Sequence, residues 1–569
     1  MCGILSILNT PITSAIASQF AKGAARGPEF STLENAGMNM VMGFHRLAIN
    51  GLHASANQPL RMGDRALICN GEIYNYKELY AALGDSVVKQ SDSDCEVILH
   101  LYVRYGMDQT LAMLDGEFAF VLLDQSIDMD QCVVYVVRDP FGVRPLYQYT
   151  AKESAVVGFA SEMKMLEDGS ATLSTIAHFP PGHVATYQLS SGVHPLWSPI
   201  DLPRAYYLPR AVILYPSVNH LDDTVLSTYC EQIRYALVCA VHKRLFTTER
   251  PVACLLSGGL DSSLVASIAC NLRESYRINT GASLPAIETY SIGLADSEDL
   301  KYARLVADHI GSKHTEIVLS EQDFLDAIPE VIRAIESYDT TTVRASIGNY
   351  LIGKYIRANS QAKVILNGDG SDEVAGGYLY MHACPDAIEF DRETRRLLRE
   401  IHEFDVLRSD KSISSHGLEP RTPFLDRDWV DTYLSIPPNV RFHPGMRVCE
   451  KYLIRRAFSP EEGACTISKN PYLPDEVLWR QKEAFSDGVS KTSRSLYEII
   501  QEYTDGLNGI PAVSVTHNPP ATSEQRYYRS VFEDAYPDRG NVVSHFWMPK
   551  YVEAKDASAR TYARRLSRS

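Results

Sequence analysis

The chain begins MCGIL, and a cysteine in second place is a residue that could do chemistry. Trimming of Met1 would give Cys2 both a thiol and a free α-amine. Their ordinary pKa values, about 8.5 and about 7.7–8.0, are close enough that proton transfer between them costs only about 1 kcal/mol, so one residue supplies a nucleophile and its base. A second stretch, LLSGGLDSS (255–263), puts Ser257, Gly258 and Gly259 between an apolar run and Asp261. Small residues at a strand-to-helix junction let backbone N–H groups approach an anion, and the helix start adds partial positive charge, so this is a phosphate cradle. No lysine follows the glycines, which excludes the GxxxxGK[ST] type. A third stretch, KVILNGDGSDEVAGGY (363–378), brings acidic groups to another glycine-rich turn. Asp372 with Asp261 supplies the hard oxygen ligands that a magnesium ion bridging phosphates requires. The GxGxxE spacing at 368–373 is not a dinucleotide fingerprint.

These residues need rigid elements behind them. Over roughly the first 200 residues, ALIC (66–69), FAFVLL (118–123) and CVVYVV (132–137) are compact apolar runs bounded by polar residues, the pattern of buried strands. Between them, Ser93 and Glu96 stand at capping-box spacing ahead of a helical face of Val97, Ile98, Leu101, Tyr102 and Tyr105, with Gly106 as the stop. Five prolines between 195 and 216 mark 191–220 as the best linker. From about 225 the pattern alternates strand and helix: VACLL (252–256), ETYSI (288–292), TEIVL (315–319) and KVIL (363–366) are separated by helical stretches. That alternation implies a parallel sheet with helices on both faces and ligands beyond the carboxyl ends of its strands.

Bulk properties narrow the class. A chain of 569 residues is too long for one core, and 45% hydrophobic with 22% charged residues is ordinary globular composition. A net charge of −15 argues against nucleic acid and anionic membrane surfaces, so any bound anion must meet local positive charge. Eleven scattered cysteines without a CxxC pair point to reduced thiols, and no apolar run is long enough to span a bilayer, so a cytoplasmic location is expected.

Taken together and in order, MCGI, RGPE (26–29), HRLAI (45–49), NGEIYNY (70–76), SDCEVI (93–98), RDPFGVRPLY (138–147), SGGLDSS, TTTVRAS (340–346), GDGSDEVAGGY, EPRTPFLD (419–426), EKYLIRRAF (450–458) and WRQKEAFSDGV (479–489) resemble the glutamine-hydrolysing asparagine synthetases of the B type. The resemblance covers all but the last fifteen or so residues. It implies an α+β N-terminal-nucleophile glutaminase sandwich followed by an α/β parallel-sheet adenylating domain of the ATP pyrophosphatase kind. The expected organisation is a glutaminase domain over 1–205, a linker over 206–224, an ATP-dependent synthetase domain over 225–550 and a disordered basic tail over 551–569. The implied activity makes asparagine from aspartate, glutamine and ATP through an aspartyl adenylate, with AMP and pyrophosphate as products.

By the same resemblance Cys2 is the nucleophile, and Asn70 with the N–H of Gly71 forms the oxyanion hole. Arg46 grips the glutamine carboxylate, and Glu72 with Asp94 its ammonium group. In the second half, pyrophosphate falls on Ser257, Gly258, Gly259, Asp261 and Ser262, adenosine near Leu255, Ile292 and Gly368, and Mg2+ on Asp261 and Asp372. Thr341 and Arg344 contact aspartate or phosphate, and Lys451 neutralises charge at the α-phosphate. A homodimer is also implied.

Two acidic positions depart from the family pattern. Glu29 stands where aspartate is usual, and Asp369 replaces a glutamate that accepts a proton as the amide forms, which withdraws the carboxylate by about 1.5 Å. Two alternatives therefore stay open: a glutamine-dependent amidotransferase acting on another carboxylate, and a non-catalytic glutamine-binding relative whose synthetase half has decayed.

Overall fold

The computed structural model describes residues 1–558, apart from 86, 126–131, 169–173, 192, 210–222, 283, 483–488, 490–493 and 508–514. Among the described residues the first 205 form two antiparallel sheets. One has the order Ser174–His178, Tyr147–Ala151, Val157–Ala160, Gly3–Leu8, Met40–Arg46, Phe30–Gly37. The other runs Trp197–Pro199, His183–Leu189, Val133–Arg138, Gly116–Asp124, Arg65–Ile73, Leu60–Met62, with Arg204–Ala205 beside His183–Leu189. The three apolar runs read as buried strands lie in this second sheet. Strand alternation explains the layering. Ile4, Leu8, Met42 and Phe44 of the first sheet meet Ile68, Val121, Leu123 and Val136 of the second in one core. Leu5, Ile7 and Val41 point the other way, into a cluster that includes Ile332 and Ile335 of the second half. Leu67, Cys69 and Phe120 face the helix Val97–Met113. Each sheet is thus covered on both sides, which is why its strands are apolar on both faces.

Three local expectations are corrected. Ser93 makes no side-chain cap; a 3-10 turn over Asp94–Glu96 leads into the helix instead. Glu96 turns back to accept from the N–H groups of Gln90 (2.7 Å) and Ser91 (2.6 Å). Gly106, with φ 76°, does interrupt the helix, but helical structure resumes and runs to Met113. The proline-rich stretch is also not linker throughout, since Trp197–Pro199 and Arg204–Ala205 pair with His183–Leu189. Most of the expected 206–224 linker lies outside the described residues.

The second half is built on five parallel strands in the order Lys313–Leu319, Glu288–Leu294, Val252–Leu255, Val364–Leu366, Glu419–Arg421. Cys254 and Leu256 pack with Leu264 and Ile268 of the helix Leu260–Thr280 on one face. Ala253, Tyr290 and Ile292 pack with Ile328 and Ile347 of the helices Glu321–Ile335 and Thr340–Asn359 on the other. The strands Val252–Leu255 and Val364–Leu366 lie side by side, so the SGGLDSS and GDGSDE turns leave the same edge of the sheet together. Residues 551–558 are not a free tail: Tyr551, Val552, Ala554 and Ala557 pack on Tyr378, Tyr380 and Trp547. The remainder, 559–569, lies outside the described residues.

Candidate active sites

The first site gathers around the chain's beginning. Met1 is buried, its amino group donating to Leu418 O at 3.1 Å, and burial lowers that amine to about 5. Cys2 Sγ lies 3.6 Å from Leu47 O, and burial pushes its thiol up to about 12. With Met1 in place, burial therefore opposes formation of the thiolate. Arg46, at the end of its strand, is held by the carbonyls of His53 (3.0 Å) and Gly51 and by Asn57 Oδ1 (2.7 Å). Burial lowers the Arg46 guanidinium below its ordinary value, with the fields of Cys2 and Glu29 opposing it.

Asn70 and Gly71 sit in the middle of the Arg65–Ile73 strand. The Asn70 side chain is fully buried; its Nδ2 lies 3.4 Å from Ser161 Oγ and its Oδ1 has no hydrogen-bond partner among the described residues. A Cβ at position 71 would lie 2.3 Å from Glu117 O and 2.6 Å from Phe118 Cα, so the neighbouring strand admits only glycine there. Glu72 accepts from Asn50 Nδ2 (2.6 Å) and lies 3.3 Å from Arg421. Burial, with the carboxylates of Asp94 and Glu419 adding to it, raises the Glu72 carboxyl well above its ordinary range. Asp94, placed by the 3-10 turn, accepts from Ile73 N at 2.7 Å, and burial pushes it up to about 6. Arg421 comes from the second half and was missed from sequence, where nothing marks it as a partner of Glu72. Glu29 accepts from Ala48 N (2.7 Å) and pairs with Arg250 at 3.1 Å, so the longer acid finds a partner across the two halves.

The second site is a cleft at the carboxyl ends of the parallel strands. It is lined by Leu255, Ser257, Gly259, Asp261, Ser262, Ile292, Thr341, Gly368, Asp369, Asp372 and Lys451, all expected from sequence. Gly259 caps the helix that begins at Leu260, and its N–H is 3.3 Å from Ser257 Oγ. Gly258 does not line the cleft; with φ +75° it turns against the Glu298–Ile310 helix, where a Cβ would lie 2.5 Å from Ala303 N. Arg344 is likewise not brought to the cleft. It is buried in ion pairs with Glu524 and Asp556 (2.8 Å), its first-order partners being carboxylates of the chain's own C-terminal part.

Asp261 and Asp372 converge on one cation: Lys451 Nζ is 2.6 Å from Asp261 Oδ2 and 2.5 Å from Asp372 Oδ1. Gly377 makes room for this lysine, since a Cβ there would lie 2.0 Å from Lys451 Cε. Lys482 also pairs with Asp372. Burial alone would raise the Asp372 carboxyl, but the two ammonium groups outweigh it and hold the acid well below the usual range. The same pairing raises Lys482 against the effect of burial. Lys482, Arg408, Arg455 and Arg480 line the cleft and were not singled out from sequence. The WRQKEAF motif was the available signal for Lys482 and Arg480. Lys451, Lys482, Arg455 and Arg480 thus concentrate positive charge where an anion would bind, whereas Arg408 is engaged by Asp369 and Asp405. Two carboxylates meeting at one cation-sized point beside an anion cradle fit Mg2+ with nucleotide phosphates.

No helix among the described residues is long and apolar enough to cross a membrane. The Asparagine synthase family matches residues 232–389 and 382–549, and the Glutamine amidotransferase domain family matches residues 1–191. The chain is 40% identical over 577 residues to the glutamine-hydrolysing asparagine synthetase of Gallus gallus, covering 99% of this chain and 98% of that one. It is 39% identical over 578 residues to that of Homo sapiens, with the same coverage. Among solved structures, an allosteric regulatory enzyme of purine biosynthesis superposes with a TM-score of 0.30 at 16% identity over 56% of this chain and 80% of that one, too slight a likeness to argue from. Identity near 40% end to end, through both halves and both sites, means that the chain belongs to the glutamine-hydrolysing asparagine synthetases.

Proposed function

We propose that the protein makes L-asparagine from L-aspartate, L-glutamine and ATP, with glutamate, AMP and pyrophosphate as the other products. The observation that carries this reading is the conjunction, in one chain, of a second-position cysteine beside a buried Arg46–Asn70–Asp94 set and a cation-lined anion cradle. Residues 1–205 are assigned to the glutaminase, 206–224 to the joining segment and 225–550 to the synthetase. Another acceptor carboxylate, or a decayed synthetase half, is not favoured, because the family match runs through both halves.

Removal of Met1 moves the α-amine onto Cys2 itself. The sulfur then attacks the glutamine amide carbon, with Asn70 Nδ2 and the Gly71 N–H facing the oxyanion. The C–N bond breaks, ammonia leaves with the proton carried by the α-amine, and water releases glutamate from the thioester. Arg46 and Asp94 orient the two charged ends of the amino acid. In the synthetase cleft an oxygen of the aspartate side chain attacks the α-phosphorus of ATP and pyrophosphate departs. Ser257, Gly259 and Ser262 hold the departing phosphates, and Lys451 and Lys482 balance their charge. Mg2+ held by Asp261 and Asp372 would supply further neutralisation of phosphate oxygens. Ammonia then attacks the activated carbonyl: a C–N bond forms, one N–H proton passes to Asp369, and the C–O bond to AMP breaks. Only unprotonated ammonia has the lone pair for this step, which favours transfer inside the protein.

The test is product analysis with glutamine, aspartate and Mg-ATP, with and without a thiol alkylator. Asparagine and AMP in equal amounts, with alkylation removing only the glutamine-supported reaction, is the expected result. Intact mass should show Met1 absent; a retained or acetylated terminus overturns the glutaminase mechanism.

A further inference from the structure

Asp369 is a carbon shorter than the family's glutamate, and the structure shows that it does not stand alone. Arg408 Nη2 lies 3.2 Å from Asp369 Oδ1 and pairs at the same time with Asp405. Asp405 is fixed in turn, its Oδ2 accepting from the N–H of Gly370 at 3.1 Å. Both residues sit in the first turn of the helix Asp405–Ser414, and all three side chains line the synthetase cleft. Asp369 Oδ2 is the oxygen left over: it is shielded from solvent and has no hydrogen-bond partner among the described residues. Asn367 completes the support from behind, with its Oδ1 3.3 Å from Asp369 N and its Nδ2 donating to Ser409 Oγ at 2.7 Å.

We propose that Arg408 and Asp405 are positioning residues for the amide-forming step, a role that rests on the asparagine-forming reading of the cleft. A guanidinium presents its donors in a rigid fork, so one Arg408 can tie Asp369 to Asp405 and fix the direction of both. That tie thereby fixes the carboxylate group that is to take the proton nitrogen releases when the C–N bond forms and AMP leaves. The clamp holds the shorter side chain in one place at the cleft. Since about 1 Å of misplacement costs on the order of 100-fold in rate, the clamp matters for this step and not for adenylation, where no proton need reach Asp369.

The experiment uses ammonia as nitrogen donor, which bypasses Cys2, and measures asparagine and pyrophosphate formed by Arg408→Lys and Asp405→Asn. Lysine keeps the charge but as a single point that cannot span two carboxylates. The expected result is pyrophosphate release within about twofold of the parent, with asparagine per pyrophosphate lower by at least about tenfold in both variants. Glutamine hydrolysis by the same preparations checks that they are folded. An unchanged ratio in both variants overturns the proposal. So does a parallel loss of pyrophosphate and asparagine, or a raised KM for aspartate with the ratio intact, which would make Arg408 a binding or structural residue. Failure of the parent protein to release pyrophosphate in response to aspartate would instead sink the functional reading beneath it.

Discussion

Asp94 carries an electrostatic cost in the folded protein. It is 3% exposed, and burial, with Glu419 adding, brings it to about 6 despite the hydrogen bond from Ile73 N and the field of Arg421. An ordinary aspartate sits at 3.8, so keeping this one ionised in the folded protein above pH 6 costs about 3 kcal/mol. The sign follows from which state prefers the proton. The folded protein does, so the penalty is absent below about pH 3.8, grows between about pH 4 and pH 6, and is constant above that. Asp94→Asn keeps the acceptor for Ile73 N and removes the charge. At pH 7.5 the variant should therefore be more stable by about 3 kcal/mol, which for a unit of roughly 200 residues corresponds to about 6–12 °C in Tm. Near pH 4 the advantage should vanish.

The same change removes the partner proposed for the glutamine ammonium group. A hydrogen bond between charged groups contributes roughly 1.5–3 kcal/mol, so KM for glutamine should rise by roughly 10- to 150-fold while ammonia-supported synthesis is unchanged. Scanning calorimetry across pH 4–8, paired with glutaminase kinetics, measures both halves of the trade. A variant no more stable than its parent at pH 7.5 would refute the linkage argument. A more stable variant with unaltered glutamine KM would show that Asp94 does not touch the substrate.

Three other perturbations address the remaining assignments. Cys2→Ala should abolish glutamine-dependent asparagine formation and leave the ammonia-dependent reaction within about twofold; persistence of the glutamine reaction removes Cys2 as nucleophile. Gly71→Ala forces a methyl to 2.3 Å from Glu117 O on an adjacent strand, so a loss of about 1–3 kcal/mol in stability and of most glutaminase activity is expected, and a normal melting curve would contradict the packing. Ending the chain after residue 550 takes one of two carboxylates from Arg344, and the Tm of the synthetase half should fall by an amount equivalent to about 1.5–3 kcal/mol; no change would return residues 551–558 to the status of a loose tail.

The apolar strands were legible because each sheet is covered on both faces, so FAFVLL and VACLL had to be written as nearly unbroken apolar runs. The turn that leads into the Leu260–Thr280 helix was legible because Ser-Gly-Gly between an apolar run and Asp261 marks a strand-to-helix junction. Partnerships across long separations were not. Spacing tells nothing of which cation will meet Glu72, and the answer, Arg421, lies on the edge strand of another sheet. Arg344 was assigned to substrate from its motif, yet its nearest carboxylates are Glu524 and Asp556, the second of them in the C-terminal part expected to be a tail. Arg421 shows why such links matter. Its side chain reaches Glu72 in the glutaminase, while its backbone carbonyl accepts from Asn367 N at 3.2 Å, at the root of the loop that carries Asp369. One residue therefore touches the supports of both reaction centres. A substitution there would disturb both and could not be assigned to either from activity alone, which is why the separating tests above change Asp94, Cys2 and Arg408.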